Sequence, residues 1–314
     1  MATNYTNGKR TMLLILSLVI FAAIILVPLA TAPNIIGPNY RNVTVWTHVN
    51  ITNSKPEVLN ITIYETTTPT NKNITISAGS LKSVTCNATV RDWNGFNDIV
   101  YVNATLYYIN NQSFNPDDNN THYTNASCTL NSSTGTYTGY YQCIFPNVQY
   151  YANNGTWYCN VTDMDTFNTT GNLANTTVFY PVYALNVSDG IDYGGVAVQD
   201  FSPNVTANIS NIGNMAINIT VQGYGANLGD GLAMNCSLGG NITVANERFS
   251  IPDLPWASMT PLSNGPQNLT GLTMPKSVNG AIVTNTTHWE LYVDSTNNPG
   301  GSCSGYVLFM AQAS

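Results

Sequence analysis

Few residues in this sequence have the types and spacing that chemistry requires. The three histidines, His48, His122 and His288, lie far apart, and none falls in a metal or nucleophile motif. Asp163 and Asp165, with Met164 between them, would share one face of a strand and offer a carboxylate pair of the glycosidase kind, although such pairs more commonly mark a solvated edge. The most charged loop, Arg91-Asp92-Trp93-Asn94-Gly95-Phe96-Asn97-Asp98, carries two carboxylates that could hold calcium. Calcium takes about six or more oxygens, and Asp92 and Asp98 with neighbouring amides supply too few without help from elsewhere. A capped tight turn is the simpler reading. Asn115-Pro116-Asp117-Asp118-Asn119-Asn120 reads likewise as a solvated loop tip. The glycines of Val221-Gln222-Gly223-Tyr224-Gly225 and Leu228-Gly229-Asp230-Gly231 form no phosphate cradle, because no helix follows and no Lys-Ser/Thr closes the motif. No catalytic residue emerges and no enzyme is expected. No metal or other cofactor is expected either, with calcium on Asp92 and Asp98 as the alternative.

The elements that would position these residues are strands. Charged residues make up only 8% of the 314-residue chain, against roughly 25% in ordinary soluble domains. Asn, Thr, Ser and Tyr must therefore wet the surface. Lys and Arg total nine and the net charge is −7, which excludes a basic stripe for nucleic acid. About two dozen Asn-x-Ser/Thr sequons occur, where the Asn, Ser and Thr content alone would produce about eight or nine. Many read Asn-apolar-Thr-apolar, as in Asn60-Ile61-Thr62-Ile63, Asn73-Ile74-Thr75-Ile76, Asn87-Ala88-Thr89-Val90, Asn218-Ile219-Thr220-Val221 and Asn241-Ile242-Thr243-Val244. Side chains alternate across a strand, so Asn and Thr share a wet face while the apolar residues share the core face. Asn42, Asn50, Asn60, Asn73, Asn87, Asn103, Asn160, Asn218 and Asn241 are the expected N-glycosylation sites. Turn signals such as Asn94-Gly95 and Pro299-Gly300-Gly301 recur between short strand-like runs, and the chain past residue 32 is expected to be all-β.

Lys9-Arg10 precedes an apolar run over residues 12–30 and an Ala-Thr-Ala sequence at 30–32, an export signal. The run approaches the length of a membrane span, and Pro33 would hinder cleavage, so an uncleaved hydrophobic anchor helix competes with a removed signal peptide. Either way the following chain is delivered outside the cell, where six cysteines read as three disulfides. None sits in a Cys-x-x-Cys pair, which disfavours zinc or thiol redox chemistry.

Asn153-Asn154-Gly155-Thr156-Trp157-Tyr158-Cys159 resembles the Asp-x-Gly-x-Tyr-x-Cys signature of the immunoglobulin fold, with Asn153 for the Asp and Trp157 for the Tyr. The resemblance implies that Cys86, where a strand B cysteine would stand, bonds Cys159 across two sheets. Trp157 weakens the tyrosine corner, since an indole has only one donor. Of the remaining thiols, Cys128 and Cys143 bracket the turn-like Asn131-Ser132-Ser133-Thr134-Gly135 and should staple a hairpin, and Cys236 and Cys303 pair by elimination. The fold class expected is two Ig-like β-sandwich domains after an N-terminal hydrophobic helix: a signal segment at 1–32, a first sandwich at 33–182 and a second at 183–314. The Thr-rich stretch 168–177 reads as linker-like, and Ile217 to Val221 as the strand returning from 208–214.

Val49-Asn50-Ile51-Thr52 with Ile61-Thr62-Ile63, residues 84–99, residues 150–159, Asp192-Tyr193-Gly194 and residues 301–311 together resemble the Ig-like secreted surface glycoproteins of archaea, notably the small-celled nanoarchaeal type. That resemblance implies a surface-layer-like or adhesive role and carries over no site residue. The expected function is a non-catalytic extracellular surface glycoprotein, structural or adhesive. The alternative is a filament or pilus subunit in which residues 43–52 add as a strand to a neighbour. Expected partners are the membrane, through the N-terminal segment, and copies of itself or other surface proteins and glycans. Protein contacts are expected on the sequon-poor stretches 140–152 and 245–266. Of the aromatic residues, Trp46, Trp256 and Trp289 have no assigned place.

Overall fold

The computed structural model describes residues 44–70, 72–187 and 190–314. The apolar run 12–30 and Asn42 lie outside them, and among the described residues no helix is long and apolar enough to cross a membrane. Thr52–Ser314 forms one compact unit.

The first half of that unit forms eight strands: β1 (Glu57–Glu65), β2 (Lys82–Arg91), β3 (Ile99–Tyr108), β4 (His122–Asn125), β5 (Thr129–Thr134), β6 (Thr138–Val148), β7 (Gly155–Asp165) and β8 (Thr170–Phe179). They make two antiparallel four-stranded sheets, β1-β2-β6-β5 and β4-β3-β7-β8. In strand letters these are A-B-E-D and C′-C-F-G, the immunoglobulin arrangement with one strand added beside C. Alternation explains the layering: Ile61, Ile63, Cys86, Ala88, Val90, Ala104, Leu106, Trp157, Cys159 and Val161 all point into one core.

The Cys86–Cys159 disulfide joins the two sheets through that core, and Cys128–Cys143 ties the residue just before β5 to β6. β5 runs on through Thr134, so the reversal of this hairpin falls at 135–137 instead of at 131–135. The indole at the corner position keeps the corner's bond, because Trp157 Nε1 donates to the Asn153 carbonyl four residues upstream at 2.7 Å. The stretch read as a linker is β8. Thr and Asn lie along it mostly exposed because it is the last strand of its sheet, laddered with β7 and bridged by Ile74 only at Phe179, and an edge needs little apolar alternation.

The second half contains β9 (Leu185–Val187), β10 (Val205–Asn211), β11 (Ile217–Tyr224), β12 (Leu232–Cys236), β13 (Asn241–Thr243), β14 (Glu247–Ser250), β15 (Thr260–Pro261), β16 (Gln267–Asn268), β17 (Val283–Leu291), β18 (Cys303–Ser304) and β19 (Tyr306–Ala313). The sheets are β15-β14-β17-β10-β9, β16-β11-β19 and β13-β12-β18. They enclose a second core that includes Ile209, Ile219, Val221, Phe249 and the fully buried Trp289. The Cys236–Cys303 disulfide joins β12 to β18.

β10 and β11 do not form the expected hairpin; β11 crosses to another sheet and pairs with β16 and β19. Asn211, fully buried at the crossover, supports it by donating to the carbonyls of Met215, Met274 and Pro275. Gly213 is required here, since a Cβ would lie 2.1 Å from the Val182 carbonyl oxygen. The two cores meet along polar contacts. Tyr150 Oη and Ser277 Oγ are 3.0 Å apart, Lys276 donates to Tyr151 O and Asn153, and Asn279 N–H donates to Asn120. Tyr150, Tyr151 and Ala152 are buried, so this part of the sequon-poor stretch 140–152 is consumed inside the chain.

Candidate functional site

The sequons do more than alternate. Across β1 and β2, Asn60 stands opposite Thr89 and Thr62 opposite Asn87; across β3 and β7, Asn103 stands opposite Thr162 and Thr105 opposite Asn160. Two Asn-x-Thr motifs on antiparallel strands are self-complementary, with each amide facing a hydroxyl. Each outer face of the first sandwich thus carries an uncharged amide and hydroxyl ladder. The ladder sorts the asparagines: Asn50, Asn60 and Asn218 are exposed, while Asn73, Asn87, Asn103, Asn160 and Asn241 are half-buried. Asn87 Oδ1 is buried and accepts no hydrogen bond.

The carboxylates gather where the sequence left them apart. Asp92 follows β2, Asp98 precedes β3 and Asp165 ends β7, and one oxygen from each lies within 4.8 Å of the others. Asp92 caps its turn by accepting from Asn94 N–H at 2.7 Å. Asp163 and Asp165 occupy no solvated edge, for β7 is an interior strand and both are fully buried. Burial pushes the Asp92 carboxyl up, helped by the charges of Asp98 and Asp165. Burial likewise raises Asp163, with Asp92 adding to it. Asp165 is held below the usual range: its burial opposes this, but hydrogen bonds from Thr169, Asn53 and Phe167 prevail. Asn53 was not legible as a partner, since it stands 112 residues from Asp165.

The loop 115–120 is a solvated tip, with residues 116–119 exposed, and it is braced from within. Asp118 accepts backbone N–H groups of Asn120, Thr121 and His122, and Asp117 lies 2.8 Å from the buried His122 Nδ1. Asp230 performs the same service in the glycine-rich turn, taking the N–H groups of Gly225, Ala226, Asn227 and Leu232, which holds its carboxyl well below the ordinary range. His288 faces Asn204, and His48 stacks on the exposed Trp46 with ring centroids 5.4 Å apart. Trp256 is half-buried beneath the Arg248 guanidinium, 4.6 Å from its ring centre, within residues 245–266.

In the second half a cavity of about 270 Å³ opens between the edges of two sheets, lined by Val187 and Ile191 on one side and by Met234, Val307 and Phe309 on the other. Glu247 lies at its floor, 3% exposed, with the Tyr193 hydroxyl donating to its Oε1 at 2.7 Å. β19 is an edge strand of sequence YVLFMAQA, without charge, and half-buried from Val307 to Ala311.

No protein-family model and no curated protein matches the chain. Among solved structures it is similar to the complex of chaperone and tip adhesion subunit from archaic chaperone-usher Csu pili of Acinetobacter baumannii, at 8% identity and a TM-score of 0.39, over 76% of this chain and 96% of that one. It is also similar to the C-terminal domain of the AgI/II polypeptide BspA of Streptococcus agalactiae, at 9% identity and a TM-score of 0.24, over 82% of this chain and 96% of that one. A third similarity is to the secreted serine protease VesC of Vibrio cholerae, at 9% identity and a TM-score of 0.19, over 79% of this chain and 51% of that one.

Proposed function

We propose that the protein is a non-catalytic extracellular surface glycoprotein with a structural or adhesive role, of the archaeal Ig-like kind its sequence resembles. The observation that carries this reading is the sequon ladder on the outer faces of a disulfide-linked sandwich, where the apolar partners of the same motif build the core. Three disulfides suit an oxidising compartment outside the cytosol. Glycopeptide mass spectrometry on native protein is expected to find carbohydrate at Asn60 and Asn218, with lower occupancy at the half-buried Asn87. Bare asparagine at both Asn60 and Asn218 would sink the glycoprotein reading.

A second reading, a filament subunit assembled by strand addition, is favoured by β19. An uncharged edge with apolar residues on both faces is a template for pairing unless something covers it. The occupant would be residues 43–52 of another copy. In that segment Val45, Val49 and Ile51 fall at odd positions, with Thr47 between the valines, and are 74%, 76% and 89% exposed. Surface-extracted protein is expected to begin near Pro33 and to polymerise, and Leu308→Lys to abolish the polymer. A chain that retains residues 12–30, or that polymerises unchanged with Lys at 308, rules it out.

A further inference from the structure

We infer that Asp92, Asp98 and Asp165, with the side-chain carbonyl of Asn53, form a calcium-binding site at one end of the first sandwich. An acidic cluster alone would not carry this. What does is the state of the oxygens around it. Asp92 Oδ2, Asp98 Oδ2 and Asn53 Oδ1 are all buried, and none accepts a hydrogen bond. The Asn53 amide is pinned to the cluster, since its Nδ2 donates to Asp165 Oδ2 at 2.7 Å and to Thr169 Oγ1 at 3.3 Å. Asp92 is fully buried, as is Asp163, two residues before Asp165 on the same side of β7, and Asp163 Oδ2 is also buried without a partner.

Among the described residues no ion pair involves Asp92, Asp98 or Asp165, and the one cationic influence in this region is the charge of Lys55 on Asp163. The described ion pairs are Lys82–Glu65, Arg91–Glu57 and His122–Asp117. Arg91, the residue beside Asp92, is turned away onto Glu57 and the face of Trp93, 4.6 Å from its ring centre. Burying carboxylates without a counter-charge costs several kcal/mol per ion, a cost that a bound cation removes.

The donor set selects the ion. Every available atom is a carboxylate or amide oxygen, with no histidine or cysteine among the three clustered residues, which suits a hard cation and not zinc or copper. Asp92, Asp98 and Asn53 present free oxygens, and Asp165, whose oxygens accept from Phe167, Thr169 and Asn53, would exchange one of those bonds for the ion. Three carboxylates and one carbonyl from three chain segments make an irregular set that calcium accepts, with water completing its coordination, whereas magnesium demands a near-ideal octahedron. Two carboxylates looked too few in the sequence because Asp165 and Asn53 arrive only through the fold. The inference does not depend on whether the sequons carry glycan.

The test uses the purified full chain. Terbium, a luminescent calcium surrogate, should be sensitised by Trp93, which adjoins Asp92 and is 55% exposed, and calcium should displace it. Thermal unfolding in 10 mM calcium should lie roughly 5–10 °C above that in EDTA, for a dissociation constant near 10⁻⁴ M. Asp98→Asn, at the half-buried member, should weaken terbium binding about tenfold or more. The wild-type titration decides the matter even if that variant folds poorly. Equal unfolding temperatures in calcium and EDTA, or no displaceable terbium luminescence, would overturn the site. An equal stabilisation by magnesium would overturn its assignment to calcium.

Discussion

Replacing Cys86 and Cys159 together by alanine is expected to lower the free energy of unfolding by about 4 kcal/mol, from chain entropy alone. The disulfide closes 73 residues, and both half-cystines are fully buried between the sheets. Cys128–Cys143 closes only 15 and should contribute about 3 kcal/mol by the same relation. Cys236–Cys303 spans 67 residues, so loop length alone would rank it beside Cys86–Cys159. Position separates them, for Cys236 and Cys303 are half-buried on short strands, while Cys86 and Cys159 lie in the core. Urea titrations of the three double-alanine variants check this. A loss below about 1.5 kcal/mol for the Cys86/Cys159 variant would mean that the unfolded chain is already compact enough to need no link.

Stability should also fall as pH rises, and Glu247 is the cause. Burial pushes its carboxyl from the ordinary 4.5 up to about 7, against the lowering effect of the hydrogen bond from Tyr193. The folded protein therefore keeps a proton that the unfolded chain releases near pH 4.5. Its contribution is complete below that pH and is lost as pH climbs through about 7, amounting to roughly 3 kcal/mol. Glu247→Gln keeps an acceptor for the Tyr193 hydroxyl and removes the titration. Urea midpoints at pH 4.5, 6 and 8 should thus diverge less for the variant than for the wild type. Asp92 and Asp163 are raised in the same direction, so the difference between variant and wild type is the quantity that isolates Glu247. Parallel pH profiles for the two proteins would show that Glu247 is already ionised in the folded state.

Strand periodicity made the first sandwich readable. Asn60-Ile61-Thr62-Ile63 and Asn87-Ala88-Thr89-Val90 alternate outward and inward in β1 and β2, as a period of two requires. β8 was misread because an edge strand with one shallowly packed face leaves little alternation in its sequence. β10 and β11 looked like a hairpin because the residues between them are turn-formers, but a turn does not specify whether the chain re-enters the same sheet. The buried amide of Asn211 and the close approach at Gly213 to Val182 decide that, and they depend on partners 64 and 31 residues away in the chain.

What the sequence determined by itself was local: strands from alternation, an uncharged exterior from composition, and sequons from a three-residue motif. These follow from the covalent geometry of neighbouring residues, which no tertiary contact alters. Only the tertiary structure decided which strands share a sheet, that paired sequons face each other amide to hydroxyl, and that Asn53, Asp92, Asp98 and Asp165 converge. Convergence depends on the register between strands far apart in sequence, and register is set by the packing of the whole core.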